Sequence, residues 1–216
     1  TNKNLINLKD IEGLEIDRGL EGGKTSLTIK SKRGLQSILI PENIYRYFIS
    51  EDPLHFIDGF KESFNYDRIL IIRIRNTKLN QRIVASLETS KRATLKTLQQ
   101  IFFIKKSDYS LTYLLAILNS KIINFYCNHF LVDDINKEYL QNIKVPRLMF
   151  EIPKTKEQHD KILFIVEQML STQKKYYFDR EIYIFIQINL IATILIVRSS
   201  CKVALVFDDL FSFVFL

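Results

Sequence analysis

The side chains richest in binding chemistry lie in one stretch. Between residues 68 and 106, Arg68, Arg73, Arg75, Lys78, Arg82, Lys91, Arg92, Lys96, Lys105 and Lys106 accompany a single acid, Glu88. Elsewhere acids and bases nearly cancel, so the chain's net charge of +7 arises here. A guanidinium is a planar fork that matches O6 and N7 of guanine in the major groove. Ammonium groups hold phosphates and set register, and each neutralised phosphate releases counterions and adds affinity. Residues 89–97, Thr-Ser-Lys-Arg-Ala-Thr-Leu-Lys-Thr, interleave hydroxyls with cations, a mixture suited to backbone contacts from a loop. These ten cations are the candidate binding residues, and double-stranded DNA is the candidate partner. A protective role competes, because Lys and Arg on an edge strand deter edge pairing. For Arg73 and Arg75 the two readings balance.

Catalytic chemistry finds little support. Gly23, Lys24 and Thr25 imitate the end of a phosphate-binding loop, but the pattern needs glycine where Arg18 stands. His55, His129 and His159 are isolated from Cys, Asp or Glu at metal-ligand spacing. His159 reads as an exposed residue in the first turn of a polar helix, and His129 as a partly buried one. Asp133 and Asp134 form a carboxylate pair that a helix-flanking loop explains. No Ser/His/Asp order or reactive-cysteine signature stands out. Cys127 lies in an apolar run and reads as a small buried hydrophobe; Cys201 is far away in an unlike context. No catalytic residue, cofactor site or metal site is assigned to this chain. The absence of a signal peptide and of a disulfide framework leads to an expected cytoplasmic setting.

The elements around the cations read as strands first and helices later. Residues 68–75, Arg-Ile-Leu-Ile-Ile-Arg-Ile-Arg, carry a strong strand signal. Alternation puts Ile72, Ile74 and Asn76 on one side and Arg73 and Arg75 on the other. Residues 26–29, 36–40, 82–85 and 101–104 are further strands, and residues 76–81 a hairpin loop. Gly19, Gly22, Gly23 and the Ser-Lys-Arg-Gly of residues 31–34 mark early loops. From Ser110, a good N-cap, Leu111, Leu114, Leu115, Leu118, Ile122 and Phe125 recur at helical spacing. Residues 139–145 form a short element before Pro146. Thr155 and Gln158 make a capping box for a second helix. On it, Ile162, Val166, Met169, Gln173 and Tyr176 form a seam of coiled-coil type. The fold class is therefore α/β (α+β): a twisted, mostly antiparallel sheet with a packed helix, then a long C-terminal helix. The domains are a recognition domain over 1–153, a connector helix over 154–181 and an atypical apolar tail over 182–216.

Within that tail only Arg198, Lys202, Asp208 and Asp209 are charged. Residues 182–197 are too short for a membrane span, which needs roughly twenty apolar residues. The abrupt change in composition near Glu181 reads as a shifted reading frame. The chain opens on Thr1 rather than Met and reads as a piece of a longer protein.

The run from Tyr113 to Tyr126, Tyr-Leu-Leu-Ala-Ile-Leu-Asn-Ser-Lys-Ile-Ile-Asn-Phe-Tyr, resembles a motif of the TaqI-like C-terminal specificity domains. That motif is a leucine-rich helix with an Asn-Ser-Lys turn. Residues 68–75 resemble the basic strand that precedes this helix in the family. Residues 139–146, with the helix beginning Lys-Glu-Gln-His-Asp-Lys-Ile at Lys156, resemble its closing segment. Residues 19–29 resemble its glycine-containing opening loop less closely. The likeness implies a target-recognition domain of a type IIG or type I-like restriction-modification enzyme. In such enzymes a separate domain methylates adenine with S-adenosylmethionine, and magnesium serves any cleavage. The Asn-Pro-Pro-Tyr motif of that domain is absent here, which favours a C-terminal fragment without chemistry of its own. Residues 155–180 would dock on the methyltransferase/endonuclease domain or subunit. Half of a type I specificity subunit is the alternative within DNA binding. A membrane-associated protein anchored by 182–216 is the alternative from another class.

Overall fold

The apolar run at residues 69–72 can bury both of its faces only at the centre of a sheet, and that is where it lies. The computed structural model describes residues 4–175 apart from 23–25, 52–53, 77–78, 80 and 131–133; in it ten short strands precede three helices, an eleventh strand and a fourth helix. The strands are β1 (Leu5–Asn7), β2 (Leu14–Arg18), β3 (Gln36–Leu39), β4 (Ile44–Tyr45), β5 (Phe48–Ile49), β6 (His55–Ile57), β7 (Arg68–Ile72), β8 (Ala85–Glu88), β9 (Ala93–Thr94), β10 (Leu98–Phe103) and β11 (Lys144–Pro146). The helices are α1 (Leu111–Leu118), α2 (Lys121–Phe130), α3 (Lys137–Asn142) and α4 (Pro153–Lys175).

The main sheet has the antiparallel order β2-β10-β7-β8. Alternation along β7 sends Ile69 and Ile71 into a core shared with Ile16, Ile101, Leu114, Leu115 and Leu118. Leu70 and Ile72 point the other way, against Leu39, Ile44, Val84 and Leu98. A smaller sheet, β6-β3-β9, pairs β3 antiparallel with β6 and parallel with β9. Ile38, Ile57, Phe64 and Leu95 fill its core. Gly19 ties the two sheets together. A Cβ there would lie 2.2 Å from the Thr94 carbonyl oxygen, and the next residue, Leu20, donates its N–H to that oxygen at 2.7 Å. No side chain fits this crossing.

Several expected elements shift. Residues 26–29 form no strand; only Thr28 bridges to Phe56. The strand at 68–75 stops at Ile72, and Ile74 is exposed. The strand expected at 82–85 begins at Ala85. The long leucine-rich helix is two helices. Ser110 caps α1, its hydroxyl accepting from the Tyr113 N–H at 3.1 Å, and the chain breaks at Asn119 and Ser120. The Ser120 hydroxyl then accepts from the Ile123 N–H at 3.3 Å and starts α2.

The α4 helix starts at Pro153, the position where a missing N–H costs nothing. Thr155 therefore sits inside the helix rather than capping it. Ile162, Val166 and Met169 are buried in the main core with α1, so this part of the seam closes the domain onto itself. His159 is buried too, its ring 5.1 Å from those of Tyr113 and Phe150, because it faces inward from the first turns of α4. His129 is exposed and stacks on Phe125 at 4.0 Å. Cys127 is buried as expected, and burial pushes its thiol up to about 12. The expectations for the Gly23-Lys24-Thr25 loop, Asp133, Lys78, the side chains of Gln173 and Tyr176, Cys201 and the tail 182–216 lie outside the described residues.

Candidate nucleic-acid interface

The nine described cations of residues 68–106 do not form one face. Two of the arginines, Arg68 and Arg82, lie in the interior, and Arg92 borders it. Arg68 opens β7 at 0% exposure, because its neighbours in the sheet cover it on both sides. Its Nη1 donates to Gln100 Oε1 at 2.7 Å, its Nη2 donates to the Arg92 carbonyl, and its guanidinium lies 4.9 Å from the centre of the Phe64 ring. Burial lowers its pKa to about 10, and the facing carboxylate of Glu88 opposes that shift. Arg92 closes on Glu88 with three side-chain bonds, Nη2 to Oε2 at 2.7 Å and Nε to Oε2 and Oε1 at 3.1 and 3.3 Å. Arg82 is 1% exposed at the start of the β8 approach. Of the expected DNA contacts, Arg68 and Arg82 are buried in this fold, while Arg92 keeps 13% side-chain exposure and also reaches Glu51 at 3.5 Å. A guanidinium desolvated inside the sheet, as that of Arg68 is, leaves its buried partners only at a large cost.

Glu88, the lone acid of the basic stretch, is the reason. Its carboxylate is fully buried and also accepts the Ser90 N–H at 2.7 Å. It thus holds the tight turn after β8, where Lys91 takes a left-handed φ of 59°. A charge run that reads as a binding strip in sequence is in part an ion-pair cluster.

Two more arginines are tethered. Arg73 grips Asp134 through both ends of its fork, Nε to Oδ1 at 2.7 Å and Nη2 to Oδ2 at 2.5 Å. This bond raises the Arg73 pKa and gives Asp134 an ion-pair partner. Arg75 donates Nε to the Gln81 carbonyl at 3.1 Å; burial, and then Arg82, lower its pKa. The four described lysines are at the surface. Lys91 pairs with Asp67, Lys96 with Glu21 at 3.1 Å and Lys105 with Glu12 at 2.6 Å, while Lys106 is exposed. Exposed pairs of this kind are worth about 0–1 kcal/mol, so these lysines can trade a carboxylate for a phosphate at little cost.

The Asn-Ser-Lys turn between α1 and α2 proves structural. Asn119 Oδ1 accepts the Ala85 N–H at 3.1 Å and its Nδ2 donates to the Ala85 carbonyl at 2.9 Å. The side-chain amide thus imitates a neighbouring strand along the outer edge of β8. Asn124, one turn into α2, accepts the Arg82 N–H at 2.6 Å. The motif locks the helices to the edge of the sheet that carries the basic turn.

Comparison with known proteins agrees with this geometry. The TaqI-like C-terminal specificity domain matches residues 36–153. No curated protein matches the chain. Among solved structures, the HsdS subunit from Thermoanaerobacter tengcongensis superposes with a TM-score of 0.52 at 13% identity, over 87% of this chain and 44% of that one. A structure described as the basis of complex assembly and conformational transition of the type I R-M system gives a TM-score of 0.50 at 15% identity, over 87% of this chain and 45% of that one. At such identities the likeness is one of fold, and the chain spans less than half the length of either. With the family's match covering more than half of the sequence, and its diagnostic Asn119–Ser120 junction seen clasping helix to sheet, this chain belongs to the TaqI-like C-terminal specificity domain family.

Proposed function

We propose that this chain reads the sequence of duplex DNA as the specificity domain of a restriction-modification system. Catalysis is supplied by a separate domain or subunit. The observation that carries the reading is the family match over residues 36–153, which contains the whole main sheet except β2 and the α1–α2 clasp. The accessible cations Lys91, Lys96, Lys105 and Lys106 hold DNA phosphates, and side chains beside them read bases. In this reading S-adenosylmethionine, and magnesium where the partner cleaves, belong to the separate catalytic part. Among the described residues, no group of three His, Cys, Asp or Glu side chains is placed to hold a metal ion.

The catalytic part docks on α4. Its inner face is taken by α1, so the contact falls on the outward face, where Phe164 is 63% exposed. The type I alternative has a specific support. The fold of this chain matches less than half of each type I chain, as one half of a two-domain specificity subunit would. Anchoring in a membrane gains nothing from residues 4–175, where no helix is long and apolar enough to cross.

The test is the salt dependence of binding between the full chain and a mixed-sequence duplex. Affinity should fall steeply and linearly on logarithmic axes as salt rises. Replacing Lys96, Lys105 and Lys106 together by Ala should flatten the line. A flat response of the wild-type chain would overturn DNA recognition.

A further inference from the structure

The loop at residues 29–34 lies before the segment matched by the family and carries Lys30, Lys32 and Arg33. All six of its residues are exposed. None of its three cations has an ion-pair partner among the described residues, in contrast to Lys91, Lys96 and Lys105. The loop is nevertheless held at its base. Thr28 and Phe56 exchange backbone bonds of 3.0 and 2.7 Å, and the Lys30 N–H donates to the Thr28 hydroxyl at 3.2 Å. Its far end is a β-turn, closed by the Leu35 N–H on the Lys32 carbonyl at 3.1 Å. Gly34 supplies the φ of +90° that the third position of a type II turn demands. Arg33 therefore stands at the corner of a defined turn, with Lys32 before it.

We infer that this loop is a phosphate-gripping arm of the DNA interface, in which Lys30, Lys32 and Arg33 neutralise the duplex backbone. The inference rests on the DNA-recognition reading above. Three cations without carboxylates to abandon, on a loop already ordered at both ends, give up little entropy or pairing when they meet phosphates. Such contacts carry no base information, so their loss weakens binding to every sequence alike.

The experiment measures binding of the full chain to a mixed-sequence duplex across a salt series, for wild type and for K30A/K32A/R33A. Each phosphate contact contributes about 0.9 to the slope of log affinity against log salt, so the triple variant should have a slope smaller by about 2 to 3. Its thermal unfolding should coincide with that of the wild type. If it does not, the single variants K30A, K32A and R33A should each lower the slope by about 1. A wild-type slope retained in the triple or in all three single variants overturns the arm and leaves DNA recognition standing. A wild-type chain that does not bind the duplex at low salt overturns both.

Discussion

Arg68 and Arg92 belong to a stretch with ten cations and one acid, yet Arg68 is fully buried and Arg92 is largely covered by its ion pair with the buried Glu88. Lys30, Lys32 and Arg33 lie within residues 1–67, where acids outnumber bases, yet their loop is wholly exposed. The two regions teach that charge density along a sequence is not charge density on a surface. What decides is whether the strand beneath is central and whether a buried carboxylate waits at the right register. Arg68 faces Glu88 across the β7–β8 pair, so its charge is spent inside. Residues 29–34 leave the outer margin of the small sheet with nothing packed over them.

The largest effect that would break this comparison is expected from Glu88→Ala. It strips the counterion from Arg92 and Arg68 and orphans the turn at Ser90. Removing one partner of a buried pair costs about 3–5 kcal/mol, measured by urea unfolding. A loss below about 1 kcal/mol would show that neither arginine depends on Glu88 for its place. Next in size is Asn119→Ala, which leaves the Ala85 N–H without its acceptor. An unsatisfied buried group costs about 1–3 kcal/mol, again by urea unfolding; no change would mean that the family's motif is not a clasp. Ser110→Ala removes the α1 cap and should cost about 1 kcal/mol in the same assay.

Smaller still are changes at the surface pairs. Lys96→Ala and Lys105→Ala should each alter stability by less than about 0.5 kcal/mol while lowering the salt slope of DNA binding by about 1. A stability loss like that of Glu88→Ala would merge the surface lysines with the buried cluster. Cys127 reports on the same contrast. Its thiol is pushed up to about 12 by burial, so alkylation at pH 8 should be slow in the wild type and in the variant of residues 29–34. In Glu88→Ala, transient opening should make it faster. Equal rates in all three would show that loss of the ion-pair cluster does not loosen the core.

Legibility followed the locality of the signal. Strand β7, the Ser110 cap and the buried Cys127 could be read because each depends on neighbours close in the chain. Residues 111–125 were legible as helical, but not the break at Asn119. That break exists because the asparagine amide pairs with Ala85, 34 positions away. His159, which local pattern places at the surface, is buried because Tyr113 and Phe150 pack over the start of α4. Of the ten candidate contacts, nine are described and the fold sorts them: Arg68 and Arg82 are buried, Arg92 is held on Glu88, Arg73 and Arg75 are tethered, and Lys91, Lys96, Lys105 and Lys106 stay accessible.

By itself, then, the sequence determined the central strand β7 and the helical character of residues 111–125, the α/β character, the Asn-Ser-Lys motif that marks the family and the total of positive charge. Each is a property of composition or of periods of two to four residues. Only the tertiary structure decided which cations face water, that the α4 seam closes its own domain, and that the lone acid Glu88 anchors a buried cluster. Those outcomes depend on strand order and register, and no local pattern encodes which residue 20 or 60 positions away will stand opposite a given side chain.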